Sequence, residues 1–214
     1  MQREPRLTKR ERRAANIPEN EVISWKLGGR TVPVPYVAAW SSEYPVMQVR
    51  PEPLMGGRLA LFRGGGRRGE GEPLFGKMDV GRQRRCILRG ICQVCGEPIE
   101  GPRWVALLME KANLPGVGDL DVVREPPACT LCMRTALRVC PGLRRDQPLI
   151  VEPTRTSTLI TLTVPPIGGR GPLNVVGPEM DDPKLEDTVV GYLKLVVHGI
   201  QQRFEMRDFL LRFS

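Results

Sequence analysis

The chain has 214 residues, 41% of them hydrophobic, long enough to bury a core as one large domain or two small ones. Aromatics are only 5% while Gly (23) and Pro (21) are abundant, a balance that predicts a loop-rich fold in need of a metal staple. The net charge of +8 favours polyanionic partners such as nucleic acid and equally fits a generic basic surface, whereas no apolar run reaches the ~18 residues that span a bilayer.

Residues 1–20 read as a basic flexible arm. Six basic and two acidic residues fall in its first fifteen, and Thr8-Lys9-Arg10-Glu11 fits a capping box for a short helix that Pro18 ends. No signal-peptide h-region is visible there, so the expected location is the cytoplasm. Residues 21–79 form a Pro/Gly-rich β segment. Thr31 to Val37 alternates, but its two prolines confine it to an edge strand or polyproline stretch. Val46 to Val49 and Arg58 to Phe62 are further short strands, and Gly64 to Gly71 is a solvent-exposed loop.

Residues 80–145 carry the cysteines. Val80 to Ile91 is expected as a helix with Ile87, Leu88 and Ile91 inside and Arg82, Arg84, Arg85 and Arg89 outside. Trp104 to Met109 and Leu120 to Val123 then make a hairpin, and Met133 to Cys140 a helix stopped by Pro141-Gly142. Residues 146–214 return to β structure, with a strong strand at Thr158 to Val164, a loop at Gly168 to Pro172 and a shorter strand at Leu173 to Val176. Asp182-Pro183 is a helix start, and Leu185, Val189, Leu193, Val196, Val197 and Ile200 recur behind it at helical spacing. Gly191 and Gly199 weaken that helix, and Phe204 to Phe213 closes the chain as a strand.

The chemistry lies in Cys92-Gln-Val-Cys95 and Cys129-Thr-Leu-Cys132. A Cys-x-x-Cys step brings two thiolates onto one tetrahedral ion, and two steps complete a closed Cys₄ shell. Gly96 suits a tight knuckle, and cysteines at a helix N-terminus gain from the macrodipole. Knuckle, hairpin and helix in that order are the arrangement of a treble-clef zinc finger, with structural zinc as the cofactor. A pair of redox dithiols would want a thioredoxin-like βαβ context, which is missing, and nothing in the spacing asks for an iron–sulfur cluster. Cys86 and Cys140 read as buried apolar residues, with a place beside the metal as the alternative.

Catalysis is not expected. The one histidine, His198, reads as a surface residue far in sequence from the cysteines, so the general base of treble-clef nucleases is lacking. A four-cysteine zinc offers no position for activated water. Gly71 to Met78 has the GxxxxGK core of a phosphate loop, but Met78 replaces the Ser/Thr that would hold Mg²⁺. Gly168 to Gly171 resembles an RGG segment in a single copy and reads as a turn. Arginine clusters flank the cysteines instead: Arg82, Arg84, Arg85 and Arg89 before them, and Arg134, Arg138, Arg144 and Arg145 after. Their guanidinium forks suit phosphate, though solvated helix faces would look the same.

The stretches Arg82 to Gly96 and Cys129 to Pro141, with Val34 to Ser41 upstream, are similar to Cys-rich zinc-binding proteins of high-GC actinobacteria and their phages. The resemblance covers roughly residues 30–145; it implies an origin and supports the zinc site, and implies no activity. The expectation is therefore an α+β fold: a Cys₄ treble-clef-like zinc finger embedded in a loop-rich mixed domain with short antiparallel strands and a C-terminal helix, all packed as one domain. Its expected function is that of a non-enzymatic intracellular protein contacting nucleic acid through the arginine surfaces. The alternative is a protein-interaction module, such as a phage protein acting on a host factor, favoured by the scarcity of stacking aromatics near the site (Trp104 alone).

Overall fold

The computed structural model describes residues 22–43, 47–107, 112–114, 118–164, 173–176 and 189–214, with the backbone alone for 112–114, 118–121, 159–164 and 173–176. The basic arm, the loop at 168–172 and the helix start at Asp182-Pro183 lie outside the described residues. Within them the fold is α+β, with helices, mixed sheets and a cysteine cluster.

Strands β1 (Ile23–Leu27) and β2 (Arg30–Val34) form a hairpin whose turn, Gly28-Gly29, has both φ values positive, as a two-residue type I′ turn requires. Pro33 sits in β2, which has no other neighbour, so its missing N–H breaks no central ladder. Strand β3 (Ala38–Trp40) pairs with β6 (Pro73–Met78), and Trp40 meets Trp25 edge-on at 6.1 Å. The glycine-rich loop before β6 is tied down rather than free: Ser42 Oγ donates to the carbonyls of Arg67 (3.2 Å) and Glu70 (2.9 Å).

The main sheet joins all three segments read from the sequence. Its path is β11 (Leu173–Val176), β10 (Leu149–Val164), β12 (Val189–Phe204), β5 (Arg58–Arg63) and β4 (Met47–Glu52). Strand β7 (Val105–Leu107) adds to β10, β9 (Gly118–Val123) to β12, and β8 (Ala112–Leu114) to β9. The hairpin expected between Trp104–Met109 and Leu120–Val123 is thus replaced: β7 pairs with β10, and the described hairpin is β8–β9.

Two C-terminal expectations are reversed. The stretch expected as a helix from Leu185 is, where described, strand β12, paired antiparallel with β10 along its length. Val189, Leu193 and Val197, four residues apart, fit helical spacing and period two alike. Val189, Val190, Val196 and Val197 prefer the strand, and Gly191 and Gly199 penalise the helix. Burial decides the matter, because Leu195 and Val197 pack with Val105, Val123 and Val151 while Leu193 packs with Met55 and Ala60. The expected closing strand at Phe204 to Phe213 is instead a turn out of β12 into helix α4 (Met206–Arg212), the last helix of the described residues.

The first α-helix of the described residues, α1 (Val80–Arg89), is capped by the Asp79 carboxylate, which accepts from the Arg82 N–H at 2.7 Å. It fills a gap in the sheet. Strand β5 pairs with β12 only at Val190, and β9 only at Leu195 to Val197. Between them the backbone of β12 is satisfied by side chains of α1: Gln83 donates to Leu193 O (2.6 Å) and accepts from Leu193 N (3.1 Å), and Arg84 donates to Gly191 O (3.0 Å). Buried backbone groups need partners, so these polar residues are drawn inward.

Candidate metal centre

After α1 the chain turns through a knuckle at Cys92 to Glu97. Cys92 N–H donates to Glu97 O (2.8 Å), Gly96 N–H donates to Cys92 O (2.9 Å), and Gly96 takes φ +78°, a conformation that favours glycine. The knuckle is held from two sides. Tyr36 N–H and Val37 N–H donate to Val94 O (2.9 Å) and Gln93 O (3.2 Å), and Gln93 N–H donates to Pro127 O (3.0 Å).

Helix α2 (Thr130–Val139) brings the second pair, with Cys129 as its N-cap residue and Cys132 in its first turn. Its start is clamped by a two-bond bridge between Trp104 and Ala128, and by Trp104 Nε1–H donating to Thr130 Oγ1 at 2.8 Å. Pro141 ends α2 as expected and also opens a further short helix, α3 (Pro141–Asp146). Beneath the cysteines Trp104 is fully buried among Phe204, Phe209 and Phe213, with ring centroids 5.8, 4.9 and 5.3 Å away. Three of the chain's five phenylalanines thus support this one site.

The Sγ atoms of Cys92, Cys95, Cys129 and Cys132 all lie within 4.8 Å of one another, close enough to hold a metal ion. Among the described residues this is the one such group. Cys92 Sγ accepts the N–H of Val94 and of Cys129, each at 3.4 Å. A hydrogen bond from the Cys132 thiol and these backbone donors, working against burial, pull the Cys92 thiol down to about 5. Burial pushes Cys95 up to about 11, and the hydrogen bond to Cys92 together with burial raises Cys132. The hydrogen bonds therefore favour a thiolate at Cys92, while burial disfavours one at Cys95.

Cys86 is fully buried beside Tyr36 and Val37, its thiol raised by that burial and by nearby Cys92. Cys140 caps the junction of α2 and α3. Neither joins the four-sulfur group.

The arginines divide sharply. Arg84, expected outside, is 0% exposed: it pairs with Glu52 at 3.1 Å and lies 4.6 Å from the Phe62 ring centre. Burial lowers its pKa, with Glu52 opposing. Arg82 is also turned in, its guanidinium on both Glu43 oxygens at 2.7 and 2.8 Å. Arg85 donates to the Tyr36 hydroxyl at 3.1 Å. Arg89, Arg138 and Arg144 are exposed, Arg134 is half-buried, and Arg145 pairs with Asp146 at 2.6 Å. The sequence contains the signal for Arg84, which stands four residues from Val80 and four from Leu88 on the buried stripe. Glu52, its partner, and Glu43, the partner of Arg82, carry none.

Two more side-chain groups matter. His198, read as a surface residue, lies on β12 with Nε2 2.6 Å from Ser157 Oγ, a cross-strand pair that sequence distance hides. It has no carboxylate partner among the described residues. Gly76-Lys77 of the phosphate-loop pattern lies within strand β6. No helix among the described residues is long and apolar enough to cross a membrane. No protein-family model, curated protein or solved structure matches the chain.

Proposed function

We propose that the four cysteines hold one structural zinc ion in a treble-clef-like arrangement, and that this non-enzymatic protein contacts nucleic acid through the arginines left exposed beside it. Four sulfurs at the zinc–thiolate distance of about 2.3 Å stand about 3.8 Å apart. The present group, all within 4.8 Å of one another, lies about 1 Å from that spacing. An iron–sulfur cluster spreads four thiolates over two or four irons and would want a wider set. Zinc closed by four sulfurs has no position for water, which supports a structural role.

The nucleic-acid reading is carried by one observation. Arg89 at the end of α1, Arg138 on α2 and Arg144 on α3 stay exposed on the elements that flank the cysteines. Three such phosphate contacts supply affinity that falls with salt. Titration of the zinc-loaded protein with single- and double-stranded DNA and RNA across a salt series tests this. Binding absent at low ionic strength removes the reading.

A protein-interaction module is the second reading, favoured by Leu131. It lies between two cysteines yet is 68% exposed, an unusual place for a leucine unless something covers it. Leu131→Glu protein that keeps its zinc but no longer retains a partner would support this reading, and unchanged capture would remove it.

A further inference from the structure

One side of the metal module faces a groove of about 600 Å³. It is lined by Val94 of the knuckle, Met133 of α2, Phe75 and Lys77 of β6, and Arg124 and Tyr192. The volume lies within the roughly 300–1,000 Å³ of small-molecule sites.

Four side chains give the groove its character. Phe75 is 42% exposed and is the only aromatic among the large exposed hydrophobics of the described residues. Leaving that ring in water has a cost that folding does not require, since β6 pairs with β3 through Pro73, Leu74 and Met78 and leaves Phe75 to Lys77 out of the ladder. Lys77 is exposed and has no ion-pair partner among the described residues. Tyr192 has the Arg124 guanidinium 5.5 Å from its ring centre. The two acids in the lining are already engaged. Glu125 stands 4.0 Å from Arg124, and Asp146 bonds Arg145 at 2.6 Å, which holds its carboxyl below the usual range.

We infer that this groove takes unpaired nucleotides, with bases stacking on Phe75 and Tyr192 and the flanking phosphates meeting Lys77 and Arg124. The inference rests on the nucleic-acid reading above and deepens it, naming single strands as the ligand and placing the base contacts in the groove. Aromatic platforms interleaved with cations bind any base by its π face. A duplex hides those faces, so it cannot use an apolar groove. An acidic peptide would satisfy the two cations but has no planar group for Phe75.

The test uses full-length, zinc-loaded protein and fluorescence anisotropy with labelled oligo(dT) and oligo(U) of about a dozen nucleotides, within the site sizes such grooves span. A duplex of similar length and a poly-glutamate peptide serve as competitors. Single strands should bind more tightly than duplex. Phe75→Ala should weaken single-strand binding between about 5- and 150-fold, the range of a lost stacking platform. Lys77→Gln should reduce the salt slope by about one. Both residues are exposed, so zinc content and melting temperature should not move, and Tyr192→Leu supplies an independent variant on a different strand. Binding of no nucleic acid by the wild type overturns the proposed function and the inference together. Equal or preferred duplex binding, lost in Arg138→Ala or Arg144→Ala but kept in Phe75→Ala and Tyr192→Leu, overturns the inference alone. Displacement of single strands by poly-glutamate at equal charge concentration also overturns it and identifies an acidic-peptide site.

Discussion

The backbone N–H of Cys129 donates to Cys92 Sγ at 3.4 Å, so the second cysteine pair helps to set the first across 37 residues of chain. The Trp104–Ala128 bridge and the Tyr36–Val94 hydrogen bond hold the two ends of that link in place. The site is preorganised by backbone as well as by ligand.

Purified protein should carry one zinc per chain with four sulfur ligands near 2.3 Å, measured by elemental analysis and X-ray absorption. Cys129→Ser should lose the metal and unfold the segment around α2, since structural zinc contributes about 10–16 kcal/mol of apparent binding energy. Stoichiometric zinc retained by Cys129→Ser would contradict the ligand set.

Zinc uptake should release protons. At neutral pH Cys92, pulled down to about 5, is already a thiolate, whereas Cys95 near 11 and Cys132, also raised, are protonated. All four must be thiolates in the complex, so binding at pH 7 expels at least two protons and weakens as pH falls. In metal-free protein the signs differ. The Cys92 contribution to stability is complete above the ordinary thiol value and is lost as pH falls through about 5; that of Cys95 is complete below the ordinary value and is lost as pH rises through about 11. Calorimetry in buffers of different ionisation enthalpy counts the protons, and a count below two contradicts the assignment.

Arg84→Met should cost about 3–5 kcal/mol, because it strands the buried Glu52 carboxylate and leaves the Gly191 carbonyl without its donor. Arg138→Ala, at an exposed position, should stay within about 0.5 kcal/mol. Denaturant melts of the two variants make the comparison. Equal stabilities would mean that Arg84 is not the buried partner described.

Phe209→Ala should cost about 3–5 kcal/mol and release α4 from Trp104, whose ring lies 4.9 Å away. Tryptophan fluorescence should shift to the red as Trp104 meets water, and zinc affinity should fall with it. Unchanged emission would show that α4 does not seal the site.

The cysteine spacing made the cluster legible without coordinates. So did the strand at Arg58 to Phe62, the end of α2 at Pro141, and the edge character of the proline-bearing β2. Each depends on residues within a few positions of one another, where local sterics and ligand spacing act. Legibility failed where one pattern fits two structures. Val189, Leu193 and Val197 suit a helix or a strand, and only pairing with β10 and burial in the folded sheet chose between them.

The arginines of α1 show the same division. That residues 80–89 form a helix follows from local propensity and the Asp79 cap. Which of its charges reach solvent does not, because the answer is held by Glu43, Glu52 and the unpaired stretch of β12, all distant in sequence. By itself the sequence determined four sulfurs at the spacing a metal needs. Only the tertiary structure decided that Arg84 and Arg82 are spent on the interior and that Phe75 and Tyr192 line one groove with Gln93 and Val94 of the knuckle, since burial and partner geometry are properties of the folded whole.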